Sequence, residues 1–239
     1  MTELIYQTDS NLQEFEALVL GLEADRRAVH LDRTAFYPGG GGQPCDLGTL
    51  TAAGITYPVV NVKKQGEDVF HFLGGSDPLP AVGTRVQAHL DWERRYRLMR
   101  THTAPHILCG VVFRDYGALV TGGDMEPLQG RMDFEFQRLQ KELVQGIEQA
   151  VNREVAAARP VRIAVLPREQ AFQIPDLIRT KINLLPEGIR LVRTVEIVVL
   201  DLQADGGTHV GNTSEVGSVR VVDYKSKGAI NKRIYIEVG

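Results

Sequence analysis

At 239 residues, 43% hydrophobic and 24% charged, the chain has the make-up of a globular protein with one large domain or two modest ones. Charge interrupts every apolar run, and Met1 to Ser10 lacks a basic start and an apolar core, so neither a membrane-spanning helix nor a secretory signal is expected. A net charge of −3 gives no global signature for nucleic acid, and two cysteines are too few for a disulfide framework, which points to a reduced, cytoplasmic setting.

Residues 1 to about 90 read as short strands separated by turns. The candidates are Ala28–Leu31, Thr49–Leu50, Tyr57–Val62, Val69–Phe72 and Arg85–Leu90, punctuated by Gly39 to Gly42, Ala53-Gly54, Gly74-Gly75 and Pro78 to Pro80. Many short strands with glycine and proline turns predict a small β-barrel or sandwich. The glycine run is not a phosphate-binding loop, since no Lys-Ser or Lys-Thr follows it, and nucleotide hydrolysis is not expected.

The pattern changes at Asp91, where a helix is predicted to about Tyr116 with Leu98, His102, Ile107 and Val111 in phase. Pro105 cannot donate to the carbonyl of Thr101, so the helix kinks there or a new one begins at Pro105. A second helix is expected from about Gln137 to Arg159, with Leu139, Leu143, Ile147, Val151 and Val155 as its apolar stripe and Pro160 as its stop. Strands return at Val161–Val165 and Gly188–Leu202, followed by a hairpin of Ser218–Tyr224 with Arg233–Val238. The fold class is α+β: a small barrel domain over residues 1–90, then an α/β sandwich over 91–239 with helices on one face of an antiparallel sheet.

Two short strings carry chemistry. In Arg100-Thr-His-Thr-Ala-Pro-His106, the imidazoles of His102 and His106 lie one helical turn apart on one face and can reach one divalent ion. In Asp205-Gly-Gly-Thr-His209, a glycine turn can fold Asp205 and His209 toward the same ion. Half of the six histidines stand in these strings. His30, His71 and His89 fall in strand patterns and read as surface or core residues. Cys45 and Cys109 lack nucleophile partners in the sequence and read as small hydrophobes. Arg94, Arg95, Arg97 and Arg100, with Lys225, Lys227, Lys232 and Arg233, form local basic clusters that could meet a phosphate backbone or simply face solvent.

Read together with Thr34-Ala-Phe-Tyr-Pro-Gly-Gly-Gly-Gly-Gln43, these strings resemble the free-standing alanyl-tRNA editing proteins, the AlaX group, homologous to the editing domain of alanyl-tRNA synthetase. The resemblance covers essentially the whole chain, with three motifs in the family's order. It implies a zinc-dependent deacylase that removes serine or glycine from mischarged tRNA(Ala), with zinc held by His102, His106, Asp205 and His209. It also implies that Gly39, Gly40, Gly41 and Gly42 lie beside the amino acid, with Thr34 and Gln43 as polar catalytic contacts. ATP and membrane are not implied, and a monomer or weak dimer is expected.

The chain departs from the family at two places: Asp205 stands where Cys is usual, and Pro105 where a small or β-branched residue is common. A carboxylate keeps the ligand charge but is a harder donor. Either Asp205 ligates, or three histidines leave a position open; Gln203 is a reserve ligand or outer partner. Zinc in turn either activates water or orients the substrate. Asp133, in Arg131-Met-Asp-Phe134, reads as structural support. The rival readings are a tRNA-binding module with a structural zinc, or the same scaffold acting on another aminoacyl-tRNA.

Overall fold

The structure, a computed structural model, describes residues 1–180 and 188–239. The chain divides into two compact units, Met1–Tyr96 and Arg97–Gly239. No helix among the described residues is long and apolar enough to cross a membrane.

The first unit contains strands β1 (Glu3–Leu4), β2 (Glu14–Glu23), β3 (Ala28–Leu31), β4 (Arg33–Thr34), β5 (Gly48–Ala52), β6 (Ile55–Gln65), β7 (Asp68–Leu73) and β8 (Arg85–Leu90). Six of them close an antiparallel barrel in the order β2-β3-β7-β6-β5-β8, while β1 and β4 form a short parallel pair. Side chains alternate between the barrel interior and solvent. Phe15, Ala17 and Val19 of β2, Val69, His71 and Leu73 of β7, and Val86, Ala88 and Leu90 of β8 are all buried. A register shift between Val59 and Asn61 lets β6 bury Val59 and then Val62 instead of the next alternate residue. Each strand expected in this region is present. The ten-residue β2 was not foreseen, because Glu14-Phe-Glu-Ala-Leu-Val-Leu is rich in good helix formers and only its barrel neighbours β3 and β8 make it a strand.

Two buried polar groups organise this unit. The Arg95 guanidinium is fully buried, donates to both carboxylate oxygens of Asp46, and also donates to the backbone oxygens of Ser10 at 2.9 Å and Ala35 at 2.5 Å. Asp46 in turn accepts from the Tyr37 backbone N–H at 2.6 Å. His71 packs edge-to-face against Phe36, and its Nε2 is 2.8 Å from Thr34 Oγ1.

The second unit contains α1 (Trp92–Tyr116, its first turn in the sequence preceding the unit boundary), β9 (Val120–Glu126), β10 (Gln129–Glu135), α2 (Lys141–Ala156), β11 (Val161–Pro167), α3 (Arg168–Ala171), β12 (Leu191–Ile197), β13 (Asp201–Ala204), β14 (Val219–Ser226) and β15 (Asn231–Val238). The strands form two antiparallel sheets, ordered β14-β15-β10-β9 and β11-β12-β13. The hairpin β9–β10 was not expected. α2 is shorter than its predicted span: Leu139 precedes it, and Ala158 with φ +50° ends the helical path before Pro160. Its buried face is Val144, Ile147, Ala150, Val151 and Val155.

α1 continues through Pro105 without interruption. Thr101 to Val112 are buried on every side, so packing outweighs the lost backbone hydrogen bond. Thr101 and Thr103 each return a hydroxyl hydrogen bond to the carbonyl four residues back, at 2.7 and 2.9 Å. On α2, Asn152 both accepts from Val219 N–H and donates to Val219 O, and Glu148 accepts from Val221 N–H. These side chains satisfy the outer edge of β14, which would otherwise be an open template for strand pairing.

Two predictions follow from the buried polar groups of the barrel. Asp46→Ala leaves the Arg95 charge buried without its counter-ion and is expected to destabilise the protein by about 3–5 kcal/mol in denaturant unfolding. For His71, burial pushes the imidazole down from 6.5 to about 4. Between those values the unfolded chain binds the extra proton, so stability rises with pH; it is complete above 6.5 and lost as pH falls toward 4. Unfolding at pH 7 and pH 4.5 should reveal a loss of up to about 3 kcal/mol that His71→Gln removes. An unaltered pH slope in that variant would refute the assignment.

Candidate metal centre

The two histidine strings meet in the second unit. Uninterrupted α1 places His102 and His106 on one face, and the segment after β13 brings Asp205 and His209 against them. One ligand atom from each of the four residues lies within 4.8 Å of all the others. Asp205 is the hub: its Oδ2 is 3.0 Å from His209 Nε2, and its Oδ1 is 3.6 Å from His102 Nε2 and 4.0 Å from His106 Nε2. The rings of His102 and His209 stack with centroids 4.3 Å apart, and His106 stands edge-on to both.

The local turn is built by the sequence. Asp205 Oδ2 accepts from the Gly207 N–H at 2.7 Å, an Asx-type turn that the glycines permit, and this aims both Asp205 and His209 inward. Arg193 of β12 holds the same segment, donating to the Asp205 backbone oxygen at 2.9 Å and lying 3.7 Å from its carboxylate.

All three imidazoles present Nε2 to Asp205, and the opposite side of each ring has a separate anchor. His102 is hydrogen-bonded to the Thr208 backbone. His209 Nδ1 is 3.2 Å from Thr103 Oγ1, whose proton goes to Met99 O, so the ring nitrogen is the donor there. His106 Nδ1 faces Asp201 Oδ2 at 3.3 Å. An imidazole whose Nδ1–H is engaged keeps its Nε2 lone pair free for a cation. Three imidazoles and one carboxylate so close together could hold a metal ion.

The electrostatics agree with that geometry. Burial pushes His102 down to about 4 and His209 down as well, so both rings are neutral near pH 7. For His106, burial acts downward, but Asp201 and Asp205 outweigh it and raise its pKa. Burial opposes ionisation of Asp205, yet His102, His209 and His106 outweigh it and hold the carboxyl well below its usual range. Gln203, foreseen as a reserve ligand or outer partner, donates to Asp201 Oδ2 at 2.7 Å and so stands behind His106. Thr103, Arg193 and Asp201 were not anticipated; Thr103 and Asp201 sit inside or beside the two strings, whereas Arg193 carried no local signal.

The remaining residues singled out from the sequence lie in the first unit. Gly39, Gly40, Gly41 and Gly42 have φ of +82°, +137°, +57° and +88°. Gly40 and Gln43 exchange backbone hydrogen bonds at 3.0 and 2.9 Å across a tight Gly41-Gly42 turn with both φ positive, a conformation that favours glycine. Gly40 and Gly41 are exposed at its tip. Thr34 is fully buried, with its hydroxyl accepting from Phe36 N–H and bonded to His71, and Gln43 is buried too. Cys45 and Cys109 are both free thiols, Cys109 buried.

The basic clusters resolve mostly into internal partners. Arg95 belongs to the Asp46 ion pair, and Arg100 donates to the backbone oxygens of Val216 and Gly239. Arg233 forms a two-bonded pair with Asp133 at 2.6 and 2.7 Å, which gives Asp133 the supporting role expected of it. Lys232 ties off the hairpin turn through Gly228 O and Ala229 O. Sequence clustering of these cations therefore does not by itself make a phosphate-binding patch.

Residues 7–94 match the family described as tRNA synthetases class II (A), and residues 189–235 match the threonyl and alanyl tRNA synthetase second additional domain. The chain is 38% identical over 242 residues to an alanyl-tRNA editing protein AlaX-M from Saccharolobus solfataricus, covering 100% of this chain and 99% of that one. A protein of the same description from Methanosarcina barkeri is 37% identical, with 98% of each chain covered. An alanine–tRNA ligase from Ignicoccus hospitalis is 37% identical over 92% of this chain but only 24% of its own length. With the strings, the barrel and the four-residue cluster in the family's order, and identity at this level from end to end, the chain belongs to the alanyl-tRNA editing proteins of the AlaX-M type.

Proposed function

We propose that this protein hydrolyses the ester between the 3′ end of tRNA(Ala) and a wrongly attached serine or glycine, with a zinc ion held by His102, His106, Asp205 and His209. The observation that carries the reading is the convergence of three anchored imidazoles and one carboxylate within 4.8 Å. Membership of the editing family supports tRNA(Ala) as the substrate carrier. When bound, the ion supplies Lewis acidity toward the ester or toward a water.

The chain's own groups do the rest. His102 and His209 are held neutral, because burial disfavours their charged forms. Asp205 contributes the negative charge that offsets a divalent ion in a buried site. Arg193 keeps the Asp205 segment against β12. The Gly39–Gly42 turn is assigned to the amino-acid end of the substrate, where backbone without side chains permits close approach. Thr34 and Gln43 are assigned as the polar contacts beside it, Thr34 being held by its bonds to His71 and Phe36. A polar group set to bond the serine hydroxyl discriminates against alanine, which leaves it unpaired.

One observation favours the second reading, a tRNA-binding module with a structural metal: four protein donors form a closed set, the usual arrangement of structural zinc. Asp205 separates the two. For a catalytic site, Asp205→Ala is expected to weaken metal affinity at least about tenfold and slow deacylation while melting of the metal-free protein is little changed. Retained activity with a collapsed melting temperature would favour the structural role.

The direct test is release of amino acid from tRNA(Ala) charged with serine, glycine or alanine. Metal-loaded protein is expected to release serine or glycine and spare alanine. Chelation, or the double change His102→Ala/His106→Ala, is expected to return the rate to that of the uncatalysed ester. Absence of release from all three charged tRNAs by metal-loaded protein that still binds tRNA would overturn the hydrolase reading.

A further inference from the structure

Among the three imidazoles, His106 has a carboxylate at its Nδ1. His102 rests on a backbone group and His209 on a hydroxyl. Behind His106 stands Asp201, whose side chain has no exposure to solvent and whose Oδ2 lies 3.3 Å from His106 Nδ1. A buried carboxylate is costly unless it is compensated, so its retention beside a ring nitrogen calls for a reason. Its surroundings are arranged around that contact. Gln203 donates to the same Oδ2 at 2.7 Å, and Arg179, stacked over Phe113 at 3.6 Å from the ring centroid, has its Nε 3.8 Å from Oδ1.

Gly110 supplies the close approach. It lies one helical turn beyond His106 on α1, and a Cβ there would fall 2.9 Å from Leu200 Cγ, 3.0 Å from Asp201 Cβ and 3.2 Å from Leu200 O. Two of these neighbours are a backbone atom and the root of a side chain, which cannot swing aside as the tip of a long side chain can. Any side chain at this position would therefore crowd the start of β13 where Asp201 reaches toward His106. The pairing of a glycine on the helix with a buried carboxylate on the strand is a built feature of this chain.

We infer that Asp201 is a positioning residue for the metal centre: through His106 Nδ1 it fixes the ring orientation and strengthens the Nε2 donor, with Gln203 bracing the carboxylate and Gly110 allowing its approach. The inference rests on the metal-centre reading proposed above. A carboxylate hydrogen-bonded to the far nitrogen of a ligating histidine orients the ring and raises its donor strength, and loss of such partners typically costs about 10- to 100-fold in metal affinity. The neutral anchor of His209 makes a natural comparison, because losing a hydroxyl partner removes orientation without removing a charge.

The test measures zinc(II) affinity by chelator competition and the visible spectrum of the cobalt(II)-loaded protein for the parent, Asp201→Asn, Gln203→Met and Gly110→Ala. The parent is expected to bind one equivalent of zinc; failure at this first step sinks the metal-centre reading itself. With the parent binding, Asp201→Asn is expected to lose about 10- to 100-fold in zinc affinity and to shift the cobalt bands. Gln203→Met and Gly110→Ala are expected to shift the bands in the same sense with smaller losses. Thermal melting of the metal-free proteins separates these effects from unfolding. Should Asp201→Asn fail to fold, the comparison rests on Gln203→Met, which keeps the charge and the fold of β13. Zinc affinity within twofold of the parent and unshifted cobalt bands, in whichever folded variant is measured, would overturn the inference while leaving the metal centre in place.

Discussion

The second unit depends on one electrostatic constraint, the confinement of three imidazoles around the Asp205 carboxylate inside a largely buried pocket. Three rings with centroids 4.3 to 5.2 Å apart cannot all be protonated in a low-dielectric interior. Burial therefore keeps His102 and His209 neutral, while the carboxylates beside His106 pull the other way. The surrounding structure serves this arrangement. Thr103 and the Thr208 backbone bond two of the rings, Asp201 lies 3.3 Å behind His106, and Arg193 holds the Asp205 segment against β12.

The same economy governs how the two helices are held. α1 is buried on all sides through its middle and tolerates Pro105 because neighbouring elements, among them Gly130 of β10 close to the proline ring, surround it. Glu154 on α2 accepts from Arg114 on α1 and from Arg159 beyond its own end, each at 2.5 Å, so one buried carboxylate ties two helices together. Asn152 and Glu148, one turn apart on α2, cover the edge of β14. In the first unit the Asp46–Arg95 pair has the comparable role, holding the Tyr37 backbone at the root of the glycine turn.

The barrel was legible because its signals are local. Alternation along Val69–Leu73 and Arg85–Leu90 and the turn residues between them are read from neighbouring positions, and the structure places those residues as strands. β2 was missed because its composition favours helix, and of its two partners β3 follows at once while β8 lies far along the chain. The hairpin β9–β10 was missed as well. Its first strand contains two adjacent glycines, Gly122 and Gly123, and acquires a strand's shape from pairing with β10. The partners of the arginines were not legible: clustering in sequence left phosphate contacts and solvent both open to reading, whereas Arg95, Arg100 and Arg233 are each committed to groups distant in the chain.

By itself the sequence determined the donor types, their i, i+4 spacing and the glycine-only turn, since these depend on residue chemistry and helix geometry over a few positions. Tertiary structure alone decided which groups stand behind each donor. Whether Thr34 faces a ligand or the barrel interior depends on His71, thirty-seven residues away, and whether Asp201 touches His106 depends on a missing side chain at Gly110. Hydrogen bonds and close packing act over a few ångströms between segments that the chain separates widely. Their partners are set by the folded arrangement, and no local pattern records them.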